Sequence, residues 1–497
     1  MKKTICLLLA MLLALSALSV LCSCGDEEES STAASTDTSK EDEALVPHLG
    51  KKNWGGEVLR VLSSTEEGRS FDHSMFGADP TETDAEPVTE AALNRDALLA
   101  EQYNFTIETE LTKPWADFIE KVTDDMLTNM VNYDVVISGF QTMASLAKEG
   151  YFLDLLTIEN SNLHLNESWW DVSSNEDMTI ADKLFFTTGD ILVVDDESTR
   201  CIFYNKGLRE DAQLDDPAEL VYEDKWTLDA MYEMCKGVAA EMDDGQMNVL
   251  GNDIWGMVSD SFDLYSLILG CNCPQVEKDQ NDLPVIAMTK ERNVNAYLKA
   301  FEMISDESVA AYTERWYRWN DPDAGTVKNQ FYDGKSLFFI STINVVNSEK
   351  LREANIHYGI LPMAMYDDSQ EGYATTIDPY HFSVLSIMST CKDTDFVTFA
   401  LEALAYTSKE LVTPQYYDVT LKTKRFLDDD DSPKMLDIIF SNRLVDISVA
   451  FNWSDCIQFY NQALSARTPT LASFLEAKLP AMEAEMQQTI EMFKKMS

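Results

Sequence analysis

The sequence predicts an α/β protein with two doubly wound lobes and a helical C-terminal tail. Three observations predict this fold class. Strand and helix patterns alternate along the first part of the chain, a second alternating series follows, and the remainder has mostly helical periodicity. With 497 residues, 45% of them hydrophobic, the chain is long enough for two or three domains with ordinary cores.

The first alternating series starts near residue 58. The strands are predicted at 58–62, 105–110 and 135–137, and the helices at 89–102 with Thr89 as its cap, 115–130 and 143–149. A βαβαβα order implies a parallel sheet with helices on both faces. Ligands of such sheets bind beyond the carboxyl ends of the strands, which places residues 63–66 and 138–141 at a candidate site.

The second series contains four predicted strands and two helices. The strands are at 184–186, 201–204, 254–258 and 337–340, and the helices at 227–240 and 293–305. Three further helices are predicted at 395–406, 432–441 and 469–495. They form the predicted helical tail.

The N-terminus has the pattern of a secretion signal. Lys2 and Lys3 precede an uncharged apolar stretch at 5–21. A Ser-, Thr- and acid-rich segment with few large apolar residues follows, and it cannot bury enough surface to fold by itself. We therefore predict a signal peptide over residues 1–23 and a flexible tether over 24–56.

The chain is strongly acidic. It has 86 Asp and Glu against 38 Lys and Arg, a formal charge of −48. Binding a phosphate backbone needs clustered cations, so nucleic acid is excluded as a partner. The six cysteines beyond Cys24 are too sparse for a disulfide scaffold, and Cys271 and Cys273 have no second Cys or His pair that would complete a zinc site.

Short motifs in a fixed order resemble the extracellular solute-binding proteins of bacterial ABC importers, in particular the maltose/oligosaccharide type known as family 1. In the first half the motifs are AEPVTEAALNR (85–95), EQYNFTI (101–107), DVVI (134–137), KEGYFLDL (148–155), WWD (169–171) and DKLFFTTGD (182–190). Further on they are FYNK (203–206), KWTLD (225–229), YDGKSLFF (332–339), YGILP (358–362) and MLDIIF (435–440). The N-terminal LCSC (21–24) resembles a lipobox, which implies lipidation of Cys24.

The resemblance implies a periplasmic-binding-protein-like type II fold whose lobes close on a ligand by a hinge movement. Its crossovers would lie near 189–199, 339–344 and 375–382. The first lobe would comprise 57–190 and 340–378, and the second 191–339 and 379–497. We expect a monomer, anchored by lipid on the outer face of the cytoplasmic membrane, that delivers its ligand to a membrane permease.

A sugar or oligosaccharide is the ligand class that the resemblance implies. Sugar rings stack on aromatic side chains, and their hydroxyls bond to polar ones. The positions carried over from the family, with two further aromatic candidates, are Ser64, Glu66, Phe140, Gln141, Asp195, Phe262, Tyr265, Trp319, Asn344, Asp378, Tyr380 and Trp453. Maltose-type proteins often have Trp where Phe140 and Asn344 stand, so the pattern does not single out malto-oligosaccharides.

Two other functions share the same sequence features. A surface lipoprotein that senses or adheres would have the same anchor and fold, because fold does not determine function. A tethered glycan-degrading enzyme would need two paired carboxylates, and among 86 acids no pair stands out. HExxH and GxSxG motifs are absent, and the five histidines, at 48, 73, 164, 357 and 381, are scattered. We predict no catalytic residue, no cofactor and no metal site.

Overall fold

The computed structural model describes residues 44–64, 75–78, 86–112, 115–242, 245–318, 320–421 and 431–496. The predicted signal peptide, Cys24, the tether up to residue 43, Glu66 and Trp319 lie outside these ranges. Within them, no helix combines the length and the apolar character needed to cross a membrane.

The strands are short and are spread over the whole chain. In chain order they are β1 (Glu57–Ser64), β2 (Phe105–Thr112), β3 (Val135–Gly139), β4 (Arg200–Asn205), β5 (Trp255–Ser259), β6 (Val276–Lys278), β7 (Pro284–Ile286), β8 (Ala310–Tyr312), β9 (Ser336–Thr342), β10 (Tyr358–Leu361), β11 (Thr375–Thr376), β12 (Ser383–Ile387) and β13 (Arg443–Leu444).

Helices separate most of these strands and make up the C-terminal part. They are α1 (Pro87–Tyr103), α2 (Trp115–Thr128), α3 (Phe140–Lys148), α4 (Val172–Met178), α5 (Val194–Ser198), α6 (Lys206–Asp211), α7 (Pro217–Tyr222), α8 (Leu228–Val238), α9 (Asp263–Gly270), α10 (Glu291–Ser305), α11 (Thr313–Trp316), α12 (Gly325–Tyr332), α13 (Glu349–Glu353), α14 (Thr394–Leu411), α15 (Thr413–Leu421), α16 (Ser432–Phe440), α17 (Ile447–Phe451), α18 (Gln458–Ala466) and α19 (Leu471–Lys495). Short 3₁₀ helices cover Pro47–Leu49, Ile343–Asn347 and Trp453–Asp455.

The first sheet has the order β12-β3-β1-β2. β1 pairs in parallel with β2 and with β3, whereas β12 is antiparallel to β3. The apolar runs of β1 and β3 are buried, as expected for a parallel sheet covered on both faces. This confirms the predicted parallel βαβαβα unit. Helix α1 begins at Pro87, whose fixed φ suits the first helical position, so Thr89 lies inside the helix and is not its cap.

The second sheet has the order β10-β4-β9-β5-β8. β5 is parallel to β8 and to β9, while β4 is antiparallel to both of its neighbours. The predicted strand at 184–186 does not form. That segment is buried, but its pairing with the first sheet is a single bridge between Thr187 and Leu385, too short for a ladder.

Two segments carry the chain between the sheets. Residues 189–199 lead from the first sheet to β4 and are called the outgoing crossover below. Residues 377–382 lead back to β12 and are called the returning crossover. The two segments lie side by side, because Thr199 and Ile377 form a bridge and the Asp378 amide donates to the Ser198 carbonyl over 2.8 Å. Gly189 has φ +146°, and a Cβ there would lie 2.6 Å from the Trp169 carbonyl oxygen, so only glycine fits this first turn.

The strand pairing corrects the predicted lobe boundaries. β10 (358–361) belongs to the second sheet and β12 (383–387) to the first, the reverse of the prediction. The segment 339–344 is not a crossover, since the chain continues from β9 through Ile343–Asn347 to β10 in the same sheet. Below, the first lobe means the sheet β12-β3-β1-β2 with its helices, and the second lobe means the sheet β10-β4-β9-β5-β8 with its helices.

The C-terminal helices contact both lobes. The Tyr312 hydroxyl at the end of β8 donates to the Leu464 carbonyl of α18 over 3.1 Å. Phe493 in α19 packs edge-on against Phe185 of the first lobe, with ring centroids 5.0 Å apart. The predicted helical tail is therefore confirmed, and it spans the junction between the lobes.

The six cysteines within the described ranges are all free and buried. Burial raises the pKa of Cys201, Cys235 and Cys456 far above that of an exposed thiol, so these thiols are protonated at neutral pH. Cys271 and Cys273 are two such thiols, and the Cys273 Sγ lies 3.4 Å from the Cys271 carbonyl oxygen. They contribute apolar packing rather than a redox pair.

Candidate ligand-binding site

The carboxyl edges of both sheets meet the two crossovers. β12 begins at Ser383, which pairs with Gly139 at the carboxyl end of β3. β4 begins at Arg200, which pairs with Thr342 at the carboxyl end of β9. Because each crossing strand starts where the parallel strands finish, the edges at which α/β sheets bind ligands flank the same pair of segments.

The first lobe presents hydroxyl and amide groups at this edge. Ser64, at the end of β1, and Ser138, near the end of β3, share a hydrogen bond of 2.7 Å between their hydroxyls. Gln141 follows in the first turn of α3 and is half-buried. Its Nε2 has no hydrogen-bond partner among the described residues. A buried donor in this position favours a polar ligand, since an unsatisfied buried group costs about 1–3 kcal/mol.

The second lobe presents a buried ionic bridge at the same edge. Arg200 donates from Nη1 to Asp263 Oδ1 over 2.7 Å and from Nη2 to Asp378 Oδ2 over 2.6 Å. Asp263 opens helix α9 and Asp378 lies in the returning crossover, so one guanidinium ties the lobe to the hinge. The Arg200 guanidinium holds the pKa of Asp378 far below its usual range, which keeps that carboxylate charged.

Aromatic rings stand next to this bridge. The Arg200 guanidinium lies 5.2 Å from the Phe262 ring centroid, and Phe262 meets Tyr380 edge-on at 5.3 Å. Tyr380 is only half-buried, and its hydroxyl accepts a hydrogen bond of 3.1 Å from Gln458 Nε2 in α18. Asp260, at the carboxyl end of β5, keeps 43% of its side chain exposed. Phe262 is itself buried, so the edge combines the partly exposed Tyr380 ring with carboxylate and amide groups.

Three predicted aromatic contacts are in the core. Phe140 is fully buried and packs edge-on against Phe186 and Phe382, with ring centroids 5.5 and 5.1 Å away. Tyr265 is fully buried beneath Phe262. Trp453 is also buried; it stacks on Phe451 and donates from Nε1 to Thr489 Oγ1 over 3.0 Å. These rings support the edge without lining it, and we drop them from the proposed contacts.

The remaining predicted residues are separated. Asn344 is half-buried in the 3₁₀ helix after β9. Asp195 lies in the outgoing crossover, where its carboxylate is 3.5 Å from Arg443 Nη1. The structure therefore brings Ser64 and Gln141 to the first lobe's edge, and Phe262, Asp378 and Tyr380 to the other.

Several polar groups at this edge were not among the predicted contacts. Gln458 and Asn461 share one face of α18, and Asn461 accepts a hydrogen bond of 3.0 Å from the Ser261 hydroxyl. Their spacing of three residues on a helix was the available signal. Asp260 directly follows a predicted strand and was open to the same topological argument as Ser64. No sequence pattern marks Arg200 as a site residue, because its two carboxylate partners are distant in the sequence and only the fold brings them together.

A second cluster of ion pairs links the outgoing crossover to β13. Arg443 in β13 lies 3.0 Å from Asp171, 3.5 Å from Asp195 and 2.7 Å from Asp196. One guanidinium thus faces three carboxylates. Burial raises the pKa of Asp195 and Asp196 above the ordinary Asp range, while Arg443 opposes this shift. Nearby, burial raises the pKa of Asp190 to about 7.

We expect the free energy of unfolding to fall as the pH rises from 5 to 8. Carboxyl groups with raised pKa values bind protons in the folded state that they have already lost when unfolded, so charging them above pH 5 favours unfolding. A pKa difference of about one between the folded and unfolded states corresponds to about 1.4 kcal/mol per group. Urea unfolding at pH 5 and pH 8 measures the change. Asp190→Asn, which keeps an acceptor for the Thr413 hydroxyl, should flatten the dependence; a stability that rises with pH would contradict it.

Comparison with solved structures identifies the architecture. No protein-family model and no curated protein matches the sequence. UspC from M. tuberculosis matches with a TM-score of 0.55 at 14% identity, over 86% of this chain and 100% of UspC. The maltose-binding protein MalE from Listeria monocytogenes, in complex with maltose, matches with a TM-score of 0.52 at 14% identity, over 89% and 99%. An ABC substrate-binding protein from the same organism, in complex with cycloalternan, gives 0.51 at 11%, over 88% and 98%.

The chain has a type II periplasmic-binding-protein fold. Both the predicted fold class and the two doubly wound lobes are confirmed. In this fold the antiparallel strands β12 and β4 are the ones that enter each sheet from the other lobe. The carboxyl edges described above therefore face the junction of the lobes.

Proposed function

We propose that the chain is the extracellular substrate-binding component of an ABC importer and captures a sugar or oligosaccharide between its lobes. The observation that carries the proposal is that the carboxyl edges of the two sheets, which present different side chains, flank the same pair of crossovers. One edge offers Ser64, bonded to the buried Ser138, and Gln141; the other offers Tyr380, which packs on the buried Phe262, beside carboxylate and amide groups. Hydroxyl-rich rings need this combination of flat apolar faces and hydrogen-bonding groups.

The charge of the protein supports a neutral ligand. The acidic excess of the whole chain repels anions, and Asp260 keeps a half-exposed carboxylate at the site. Arg200, the cation of the site, is already bound by Asp263 and Asp378 and is not open to an anionic ligand. Two structures of the same fold contain cycloalternan and maltose, which agrees with this ligand class.

The anchor is the part of the proposal that concerns the N-terminal residues. Lipid on Cys24 would hold the protein at the outer face of the cytoplasmic membrane, and the part of the predicted tether before residue 44 would let it reach a permease as a monomer. Residues 44–56 belong to the folded body, since Val46 is buried and its amide donates to the Tyr103 hydroxyl. Cys24→Ala tests this part separately. We expect the variant in the culture medium and the unchanged protein in the membrane fraction; equal amounts of both in the membrane fraction would contradict the anchor.

The sugar-binding proposal is tested with a broad panel of oligosaccharides. A ligand present at 100 times its Kd raises the free energy of unfolding by about 2.7 kcal/mol, so the Tm should rise for some members of the panel. Tryptophan fluorescence should change as well, and Trp316, in the helix that follows β8, is the expected reporter. No Tm rise and no fluorescence change across the panel would overturn the assignment, and release of shorter glycans would favour an enzyme.

A matched pair of tyrosine variants locates the bound sugar. Tyr380→Ala removes a half-exposed ring at the hinge and should weaken binding about 10-fold, or about 1.4 kcal/mol. Tyr366→Ala is the control, since Tyr366 is also half-buried but packs against Arg292 and Lys299 in the second lobe. Titration by fluorescence measures both affinities. Equal losses in the two variants would remove Tyr380 from the site.

A further inference from the structure

A buried carboxylate in the first lobe collects donors from both of its sides. Glu402, in α14, is fully buried. Its Oε2 accepts hydrogen bonds from Trp170 Nε1 over 3.0 Å and from the His164 amide over 3.1 Å. Its Oε1 accepts one from Trp169 Nε1 over 3.1 Å, and the ring nitrogens of His48 and His164 approach the same oxygen.

The two imidazoles crowd one oxygen atom. His48 Nε2 and His164 Nδ1 each lie 2.9 Å from Glu402 Oε1. Together with Trp169, this makes three donors for an oxygen that has two lone pairs. A metal ion between the three side chains would replace two of these contacts by one bond to Oε1, leaving the other lone pair for the indole.

We propose that His48, His164 and Glu402 form a binding site for Zn²⁺ or a divalent cation of similar preference. Zinc takes imidazole nitrogen and carboxylate oxygen at about 2.0–2.2 Å, commonly with three protein ligands and one water. The three ligand atoms lie within 4.8 Å of one another. Tetrahedral ligands at about 2.1 Å from the ion are about 3.4 Å apart, so the two N···O distances of 2.9 Å would each lengthen by about 0.5 Å.

The surroundings suit such a site. Side chains around metal ligands usually hold them by hydrogen bonds, and here the two indoles fix the carboxylate. His48 also stacks on the Trp169 ring, with centroids 5.1 Å apart and planes 13° from parallel. The imidazoles keep 28% and 48% of their side chains exposed, which leaves a path for the ion and room for a water ligand.

The site would fasten the start of the folded body. His48 lies in the 3₁₀ helix Pro47–Leu49, within the segment predicted to be the flexible tether (24–56), whereas Glu402 is 354 residues further along the chain. Val46 is already buried, and its amide donates to the Tyr103 hydroxyl over 2.9 Å. A bound ion would add a second attachment and hold His48 against α14 of the first lobe.

The binding test uses the purified full chain, stripped with a chelator and titrated with ZnCl₂. We expect one Zn²⁺ per chain with a Kd below about 1 μM and a rise in Tm, whereas Mg²⁺, which prefers oxygen ligands, should give neither. Co²⁺ should produce the visible absorption of a four-coordinate ion. If the carboxylate only accepts hydrogen bonds from the two imidazoles, no stoichiometric zinc binds, and this result would overturn the proposal.

Variants assign the bound ion to these side chains. His164→Ala removes the more exposed imidazole and should weaken zinc binding at least about 100-fold, and His48→Ala should do the same. His357→Ala is the control, because His357 is exposed and outside the cluster, so it reports adventitious binding to a surface imidazole. Trp169→Phe keeps a ring against His48 but loses the bond to Oε1, and we expect a loss of about 10-fold. Unchanged stoichiometric binding in both histidine variants would place the ion elsewhere and contradict the site.

Discussion

Arg200→Ala is expected to lower the free energy of unfolding by about 3–5 kcal/mol at pH 7. Removing one member of a buried ionic group leaves its partners as uncompensated buried charges. Arg200 is 5% exposed, and its partners Asp263 and Asp378 are buried equally deeply. Urea unfolding measures the loss. Arg467→Ala is the control: its side chain is 61% exposed and pairs with Glu307, so it should cost at most about 1 kcal/mol.

The same change should also weaken ligand binding. The Arg200 side chain packs against Phe262 and holds Asp378, whose carboxylate accepts from the Tyr380 amide over 2.9 Å. Loss of this support displaces both rings of the proposed site, and we expect an affinity loss of at least about 100-fold. Arg200→Lys keeps the charge but not the two-pronged geometry, so it should recover only part of the stability.

A double variant separates buried charge from lost packing. Arg200→Met combined with Asp378→Asn removes the cation together with one of its carboxylates while it keeps a long side chain. If the penalty of Arg200→Ala comes from stranded charge, the double variant should be more stable than Arg200→Met alone. A double variant that is less stable than both single variants would show that the geometry of the bridge, rather than its charge balance, determines the stability.

The sequence predicts the first sheet well because its two central strands, β1 and β3, are mostly apolar and buried. β3 begins with an apolar run, β1 has apolar pairs on both sides of Arg60, and α2 and α3 have clear helical periods, so type and order follow from local pattern. The lobe boundaries do not follow, because pattern alone does not tell which sheet a short strand joins. β10 and β12 are strands of four and five residues, and each pairs with the other lobe from the one predicted.

The site could be predicted only where topology decides the position. Ser64 and Gln141 follow strands and reach the edge for that reason. An aromatic ring gives no comparable signal, since packing in the core and stacking on a ligand require the same side chain. Phe262 and Tyr265 are three residues apart and both are buried. Phe262 nevertheless contacts the half-exposed Tyr380, whereas Tyr265 lies deeper in the core.

The histidines show the same limit across a longer separation. The five histidines are far apart in the sequence, but the structure brings two of them together. His48 and His164 have ring centroids 4.9 Å apart, and the carboxylate that joins them is 238 residues beyond His164. Metal-ligand spacing is recognisable in a sequence when the ligands share one helix or loop. Here three separate segments supply them.

Arg443→Leu is expected to cost about 3–5 kcal/mol at pH 8 and clearly less at pH 5. The substitution leaves Asp171, Asp195 and Asp196 buried without their shared cation. Burial has already raised the pKa of Asp195 and Asp196, and loss of the guanidinium raises both further. At pH 5 these groups hold protons in the folded state and the penalty is small, whereas at pH 8 they must be charged.

Urea unfolding of the variant and the unchanged protein at the two pH values measures this difference. Arg467→Leu, on the surface, should cost at most about 1 kcal/mol at both pH values, which controls for the loss of a positive charge from an acidic protein. Asp195→Asn in the Arg443→Leu background removes one of the stranded charges and should restore part of the stability at pH 8. A penalty of equal size at pH 5 and pH 8 would show that Arg443 stabilises the crossover by packing, and the hinge would then not depend on the ionisation of its carboxylates.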